Sequence, residues 1–176
     1  VKQSGKNTKT AVIATDFEGV ETDIAIYKAD DYAAPLPDSF KNGNFEKYLL
    51  YPSFATEEDL RALCARLQET KIDGIYAENY GGITFAKTHG IKLFAGTGFN
   101  LTNGLSVQTL CQEDCLAYYA LSKELNGEEL SALVGERAFA LSGGGIKLMD
   151  LCYCPFGKTC RQCDQKSVYR LTDEGG

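Results

Sequence analysis

Histidine is almost absent from this chain of 176 residues, since His89 is the only one. It stands directly before Gly90, at the end of a predicted helix, where the helix dipole stabilises a cationic ring. That position favours a structural role over a catalytic one. With its single histidine assigned in this way, the sequence predicts neither a Ser-His-Asp triad nor a Cys-His pair.

The sequence also lacks long hydrophobic runs and an excess of positive charge. Its longest apolar stretches have the length of β-strands, so no membrane-spanning helix and no membrane partner are expected. Lysine and arginine number 18 against 24 acidic residues, which makes the formal net charge −6. We therefore expect no DNA partner. The sequence contains no signal-peptide pattern, no G-x-G-x-x-G and no P-loop.

Cysteine, by contrast, is abundant, with seven residues in the chain. Cys160 and Cys163 have the C-x-x-C spacing, and Cys154 precedes them across a Pro-Phe-Gly bend. Thiolates on tight turns favour zinc or an iron–sulfur cluster. The sequence therefore predicts a metal centre in the segment 148–163.

The fourth ligand of this predicted centre is open. Cys152 is the nearest in sequence, and Cys111 and Cys115 are the alternatives from elsewhere in the chain. A disulfide framework is the competing interpretation of the cysteines. It requires an oxidising compartment and, with an odd number of cysteines, leaves one thiol over.

Hydrophobic periodicity predicts regular alternation of strands and helices from residue 47 onwards. The predicted strands are 47–54, 73–78, 91–96, 115–122 and 138–142. Such alternation is typical of parallel strands joined by right-handed crossovers. A complete eight-unit barrel needs about 250 residues. We therefore predict an α/β fold with a partial (β/α) TIM-barrel-like parallel sheet.

The residues on either side of this repeat have a different pattern. Residues 1–46 predict two short strands followed by a loop, and residues 146–176 predict a cysteine-rich hairpin. The chain begins without methionine and ends abruptly. We expect an excised piece of a larger protein, in which 1–46 leads into a barrel-like domain of residues 47–145.

Polar side chains follow three consecutive predicted strands, and in barrels such positions carry function. Glu78 and Asn79 stand at the end of the second strand, Asn100 after the third, and Ser122 and Glu124 at the end of the fourth. Glu78 and Glu124 are candidates for a general acid and base that face one cleft. Asn79, Asn100 and Ser122 are candidate substrate-binding residues. The alternative is that the two carboxylates are solvated or cap helices.

Several stretches together resemble one known family. The run IDGIYAENYGGITFAKTHGIKLFAGTGFNLTN resembles a strand, helix, strand and loop with an Asn-x-x-Asn ending in the U thirty-two family of collagenase-like peptidases. ALSKEL (120–125) is similar to that family's Ser-x-Glu-Leu strand end. Leu-Met at 148–149 and Tyr-Cys-Pro at 153–155 are similar to the signature before its late cysteines. The ending YRLTDEGG resembles Leu-x-Asp-Arg-x-Gly, with Glu174 in place of arginine.

The resemblance implies a barrel-type fold, a cytoplasmic location, a bacterial parent and a peptidase of unassigned catalytic type. Other family members resemble RNA- or quinone-modifying hydroxylation proteins that hold an iron–sulfur cluster with four cysteines. The family's His-Gly pair with closely following cysteines is missing from this chain, because no cysteine closely follows His89-Gly90.

The chain therefore resembles the C-terminal region of a longer member. We expect this region to be ancillary or to form part of a substrate cleft, and not to be catalytic alone. Its expected partners are the remainder of the parent polypeptide and a peptide or RNA substrate. The third interpretation is a non-catalytic domain stapled by a zinc–cysteine site.

Overall fold

The computed structural model describes residues 8–29 and 31–145. The chain divides into a unit of residues 1–142 and a unit of residues 143–176, and the first unit contains all of the described strands and helices. The strands are β1 Ala11–Ala14, β2 Ile24–Tyr27, β3 Glu46–Leu50, β4 Gly74–Ala77, β5 Lys92–Ala95, β6 Leu116–Ala120 and β7 Ala138–Phe139. The helices are α1 Asp38–Asn42, α2 Glu57–Arg66, α3 Gly81–His89, α4 Gly104–Leu110 and α5 Gly127–Leu133, with a 3₁₀ turn at Thr97–Phe99.

The strands form one parallel sheet in the order β1-β2-β3-β4-β5-β6-β7. Sequential order with parallel pairing is the arrangement of strands in a (β/α) barrel. The predicted α/β class and the partial barrel are confirmed at this level. The predicted cysteine-rich hairpin lies outside the described residues.

A contact between Lys9 and Tyr118 shows that the sheet is curled. Lys9 Nζ donates a hydrogen bond of 2.7 Å to the Tyr118 hydroxyl. Lys9 lies just before β1, and Tyr118 lies on β6. In a flat sheet the five inter-strand steps between β1 and β6 would separate them by about 24 Å, more than the two side chains can span. The sheet therefore curves into a half-barrel.

The opening segment supplies the first two strands of this sheet. β1 pairs with β2, and β2 pairs in parallel with β3, where Ile24 lies opposite Glu46. Residues 15–23 connect β1 to β2 without a helix, so this part of the chain lacks the alternation of strand and helix that predicted the later strands. The loop expected at residues 29–44 contains α1, because Phe40 is buried against the rings of Phe17 and Phe45.

Both faces of the sheet are buried, which explains its nearly continuous apolar strands. The outer face packs against the helices through residues such as Leu49, Ile75 and Leu93. The inner face carries a separate cluster that includes Tyr48, Tyr76 and Phe94. The Phe94 ring lies 6.0 Å from Tyr48 and 5.2 Å from Tyr76, with edge-to-face geometry. This aromatic layer fills the concave side of the half-barrel.

A polar cluster lies beside these rings at the amino ends of the strands. Glu46 Oε1 accepts hydrogen bonds of 2.8 Å from Lys9 Nζ and from the Tyr118 hydroxyl. These contacts, with the Glu46 bond as the largest cause, raise the pKa of Lys9. The other carboxylate oxygen of Glu46 and the hydroxyl of Tyr48 are buried without a hydrogen-bond partner among the described residues.

Helix ends follow the local sequence. Thr56 and Asp59 form a capping box at the start of α2, and Asn126 caps α5. At α4 the cap is Asn103, because its Oδ1 accepts a hydrogen bond from the Ser106 N–H. Gly90 ends α3 in the left-handed conformation, with φ of 61°. Within the described part of the chain, no helix has the length and hydrophobicity of a membrane span.

Candidate functional site

The carboxylate of Glu78, which directly follows β4, is held by residues on both sides of it. Its Oε1 accepts a hydrogen bond of 2.5 Å from the Tyr76 hydroxyl. Its Oε2 accepts from the backbone N–H of Gly98 and, at 3.4 Å, from the Thr97 hydroxyl. Both oxygens of Glu78 are therefore engaged by the protein itself.

Two glycines allow the loop after β5 to approach this carboxylate. A Cβ on Gly96 would lie 2.4 Å from the Tyr76 hydroxyl. A Cβ on Gly98 would lie 2.3 Å from the Glu78 carbonyl oxygen. Side chains at these positions would push the loop away from Glu78. The Gly-Thr-Gly sequence is therefore needed for the close contact between β4 and this loop.

Tyr76 is the donor that orients Glu78. Burial, followed by the negative charge of Glu78, raises the pKa of Tyr76 well above its ordinary value. The phenol therefore keeps its proton and donates a hydrogen bond to the Glu78 carboxylate. A carboxylate fixed by three donors is suited to positioning the loop, because its lone pairs are already directed at protein groups.

Asn100 and Ser122 connect the loop after β5 to the end of β6. Asn100 has a left-handed backbone, with φ of 50°, which asparagine tolerates better than most residues. The Ser122 hydroxyl donates a hydrogen bond of 2.7 Å to Asn100 Oδ1. Ser122 is only 3% exposed. A parallel bridge between Leu101 and Leu121 extends the sheet at the same place.

Asn79 makes the corresponding connection between β3 and β4. Its Nδ2 lies 3.5 Å from the carbonyl oxygen of Pro52 and 3.4 Å from that of Ser53, as the donor in both contacts. These bonds are long, so the Asn79 amide is held loosely. The ends of β3, β4, β5 and β6 are thus joined by side chains into one polar rim.

The two predicted acid–base residues have different surroundings. Glu78 is half-buried and bound within the rim, whereas Glu124 is exposed. The Glu124 backbone N–H donates to the Ser122 hydroxyl at 3.3 Å, so the chain turns towards the rim at this residue. No described contact joins the two carboxylates. The proton-transfer pair therefore stays a prediction.

An apolar groove that the sequence reasoning missed lies next to the rim, between α3 and α4. Its volume is about 410 Å³. Tyr80 and Leu105 line it and are 70% and 74% exposed. The Tyr80 ring packs at 5.0 Å against Phe99, which belongs to the turn that binds Glu78. The signal available in the sequence was the aromatic residue that follows Glu78-Asn79 and the one that precedes Asn100.

The predicted metal ligands Cys152, Cys154, Cys160 and Cys163 lie outside the described residues. Within 8–29 and 31–145, no cluster of three or more His, Cys, Asp or Glu side chains is arranged to hold a metal ion. Cys111 and Cys115, the alternative fourth ligands, are half-buried free thiols. Zinc and an iron–sulfur cluster both stay predictions for the C-terminal segment.

His89 lies at the end of α3, as predicted, but it is not isolated from cysteine. Its Nε2 lies 3.5 Å from the Sγ of Cys64 on α2. The expectation that this chain has no Cys-His arrangement is therefore wrong. It failed because the two residues are 25 positions apart and meet only when the helices pack side by side. Cys64 is half-buried.

Comparison of the chain with known protein families, with curated proteins and with solved structures found no match. The resemblance to collagenase-like peptidases therefore remains a hypothesis that rests on the motifs of the sequence.

Proposed function

We propose that this chain is the substrate-cleft domain of a larger collagenase-like peptidase, and that it binds an extended peptide along the polar rim. The chemical step belongs to the remainder of the parent polypeptide, which is the expected partner. Two things support this assignment: the sequence resemblance, and a rim whose polar groups lie beside an apolar groove.

The observation that carries the proposal is the position of Phe99. Its turn donates the Gly98 N–H to Glu78, and its ring packs against the exposed Tyr80 at the groove. A peptide has polar backbone groups and, at intervals, apolar side chains. Such a ligand needs hydrogen-bonding groups next to an apolar recess, as in other strand-binding sites. The rim and the groove supply these two features side by side.

The residues of the rim then have distinct roles. Asn79, which is half-buried, and Asn100, which is exposed, supply the amide groups that hydrogen-bond to peptide N–H and C=O. Ser122 holds Asn100 in place, and Glu78 holds the loop after β5. Glu124, whose carboxylate is exposed, is the group available to a substrate or to the catalytic residues of the parent.

Peptide binding tests the proposal directly. Fluorescence anisotropy of labelled gelatin-derived peptides is measured with the full chain and with Tyr80→Ala. We expect the variant to bind about tenfold more weakly, as for an aromatic anchor. Val134→Ala is the matched control, because Val134 is also 70% exposed but does not line the groove. Equal affinities for all three proteins, or no binding by any, would contradict the proposal.

The catalytic part of the assignment needs the parent protein. Peptide cleavage by the parent should fall in Glu124→Ala, and an unchanged rate would remove Glu124 from the cleft. Binding of single-stranded RNA in place of peptide, together with iron and sulfide in anaerobically purified protein, would favour the hydroxylation-protein alternative. Zinc alone, without peptide or RNA binding, would favour the zinc-stapled structural domain.

A further inference from the structure

A thiol and an imidazole meet on the outer surface of the half-barrel, between α2 and α3. The Sγ of Cys64 lies 3.5 Å from Nε2 of His89. Neither residue lines the groove or the rim. We propose that Cys64 is a reactive thiol that forms mixed disulfides with low-molecular-weight disulfides, and that His89 accepts its proton. This proposal is independent of peptide binding.

The pair has the arrangement that activates a nucleophile, in which a base lies within hydrogen-bond reach and is oriented by a third group. In this pair Phe85 is the third group, and its ring centroid lies 4.3 Å from that of His89. Phe85 and His89 are one helical turn apart on α3, and the contact between their rings fixes the orientation of the imidazole. His89 also occupies the last turn of the nine-residue helix α3, where the carbonyl dipoles stabilise the imidazolium that proton transfer creates.

Accessibility agrees with this role. His89 is exposed, and Cys64 is half-buried on the helix that packs beside it. A small disulfide can approach a thiol at such a surface, whereas a thiol enclosed in the core is inert. The site therefore suits compact, soluble disulfides of the glutathione type.

The two other described thiols lack these features. Cys111 and Cys115 are half-buried as well, and the only histidine of the chain is committed to Cys64. Burial, with a further contribution from the negative charge of Glu113, raises the pKa of Cys115. A raised pKa lowers the thiolate fraction and slows exchange. The chain thus contains its own comparison thiols.

The reaction exchanges one disulfide for another. The Cys64 sulfur attacks one sulfur of glutathione disulfide while its proton passes to His89. A new S–S bond forms between Cys64 and one glutathione, and the original S–S bond breaks. Cys64 is oxidised, and the other sulfur of glutathione disulfide is reduced. It departs as a thiolate and takes the proton from His89. The products are the mixed disulfide and one molecule of glutathione.

The test follows the initial rates of modification at single cysteines. The full chain, fully reduced, is exposed briefly to glutathione disulfide, quenched with acid and digested, and each cysteine-containing peptide is quantified by mass spectrometry. We expect Cys64 to react at least about tenfold faster than Cys111 and Cys115, as for a thiol beside a base. The C-terminal cysteines fall on other peptides and do not enter this comparison.

His89→Gln separates an activated thiol from one that is merely exposed, because glutamine keeps hydrogen-bonding groups but has no basic nitrogen. The Cys64 rate should then fall to about that of the comparison thiols, while the rates of Cys111 and Cys115 stay unchanged. Faster reaction of those two would show that the substitution loosens the fold, and His89→Asn then replaces it. Equal rates for the three thiols, or a Cys64 rate that is unaffected by both variants, would overturn the proposal.

Discussion

Gly98 donates its backbone N–H to Oε2 of Glu78, across 20 positions of sequence. The bond fastens the loop after β5 to the end of β4. It depends on the absence of a side chain, since a Cβ on Gly98 would lie 2.3 Å from the Glu78 carbonyl oxygen. The conformation of the rim therefore rests on one carboxylate and one glycine.

Gly98→Ala should destabilise the protein. The added methyl group overlaps backbone atoms at the end of β4, and overpacking of this kind costs about 1–3 kcal/mol. Urea unfolding followed by circular dichroism measures the loss. Gly104→Ala is the control, since nothing lies within 4 Å of a Cβ there. This control should raise the free energy of unfolding by about 0.4–1 kcal/mol, because alanine lowers the conformational entropy of the unfolded chain. Losses of similar size in both variants would show that the contact with Glu78 is unimportant.

Tyr48→Phe should stabilise the protein. The Tyr48 hydroxyl is buried without a hydrogen-bond partner in the described residues, and an unsatisfied buried polar group costs about 1–3 kcal/mol. We expect the free energy of unfolding to rise by about 1 kcal/mol. Tyr118→Phe is the matched control. It should lower the free energy of unfolding, because the Tyr118 hydroxyl forms hydrogen bonds with Lys9 and Glu46. A loss of stability in Tyr48→Phe would reveal that the hydroxyl has a partner.

The bond between Asn100 and Ser122 should appear as a coupling energy. Asn100→Gly keeps the left-handed backbone but leaves the buried Ser122 hydroxyl without its acceptor, which costs about 1–3 kcal/mol. Asn100→Ala should cost about 1 kcal/mol more, because alanine is disfavoured at positive φ. A double-mutant cycle of Asn100→Gly with Ser122→Ala measures the coupling. Strictly additive effects would mean that the two side chains do not interact.

Stability should fall on the alkaline side of pH 10. Burial raises the pKa of Tyr32 to about 12, whereas an unfolded tyrosine ionises near pH 10. Between these values the unfolded chain loses a proton that the folded chain keeps. The free energy of unfolding is therefore maintained below pH about 10 and decreases as the pH rises towards about 12.

Tyr32→Phe identifies the contribution of this residue. The variant also loses the hydrogen bond from the Tyr32 hydroxyl to the Leu50 carbonyl oxygen, so the slope of stability against pH is the readout. Chemical denaturation at a series of pH values should give a shallower alkaline decline in the variant. An unchanged slope would place the alkaline transition on other groups, of which Tyr76 is the first candidate because burial raises its pKa also.

The positions of strands and helix caps were predictable because they depend on near neighbours. The apolar run at 73–78 predicted a strand, and the structure confirms it as β4. The Thr56–Asp59 capping box of α2 is a local signal of the same kind, since it involves residues three positions apart. Helix α1 could not be predicted from the sequence. Phe40 is an apolar residue among loop-forming residues, and its burial depends on rings that are distant in the chain. Prolines and an Asn-Gly pair dominated that segment and led to a loop prediction.

The partners of the rim residues were not predictable. Sequence reasoning placed Glu78, Asn100 and Ser122 at strand ends, and the structure places them there. It also treated Glu78 as free for proton transfer. The donors that occupy its oxygens come from Tyr76 on the same strand and from Gly98 on the next loop, and no spacing rule connects these three residues.

By itself, the sequence determined the alternation of strands and helices and the points at which most helices begin and end, because backbone propensity and capping act over a few residues. Only the tertiary structure decided that the sheet curls until Lys9 reaches Tyr118, that the Glu78 carboxylate is occupied, and that Cys64 lies beside His89. These relationships depend on strand register and helix packing, which bring together side chains that are distant in the chain.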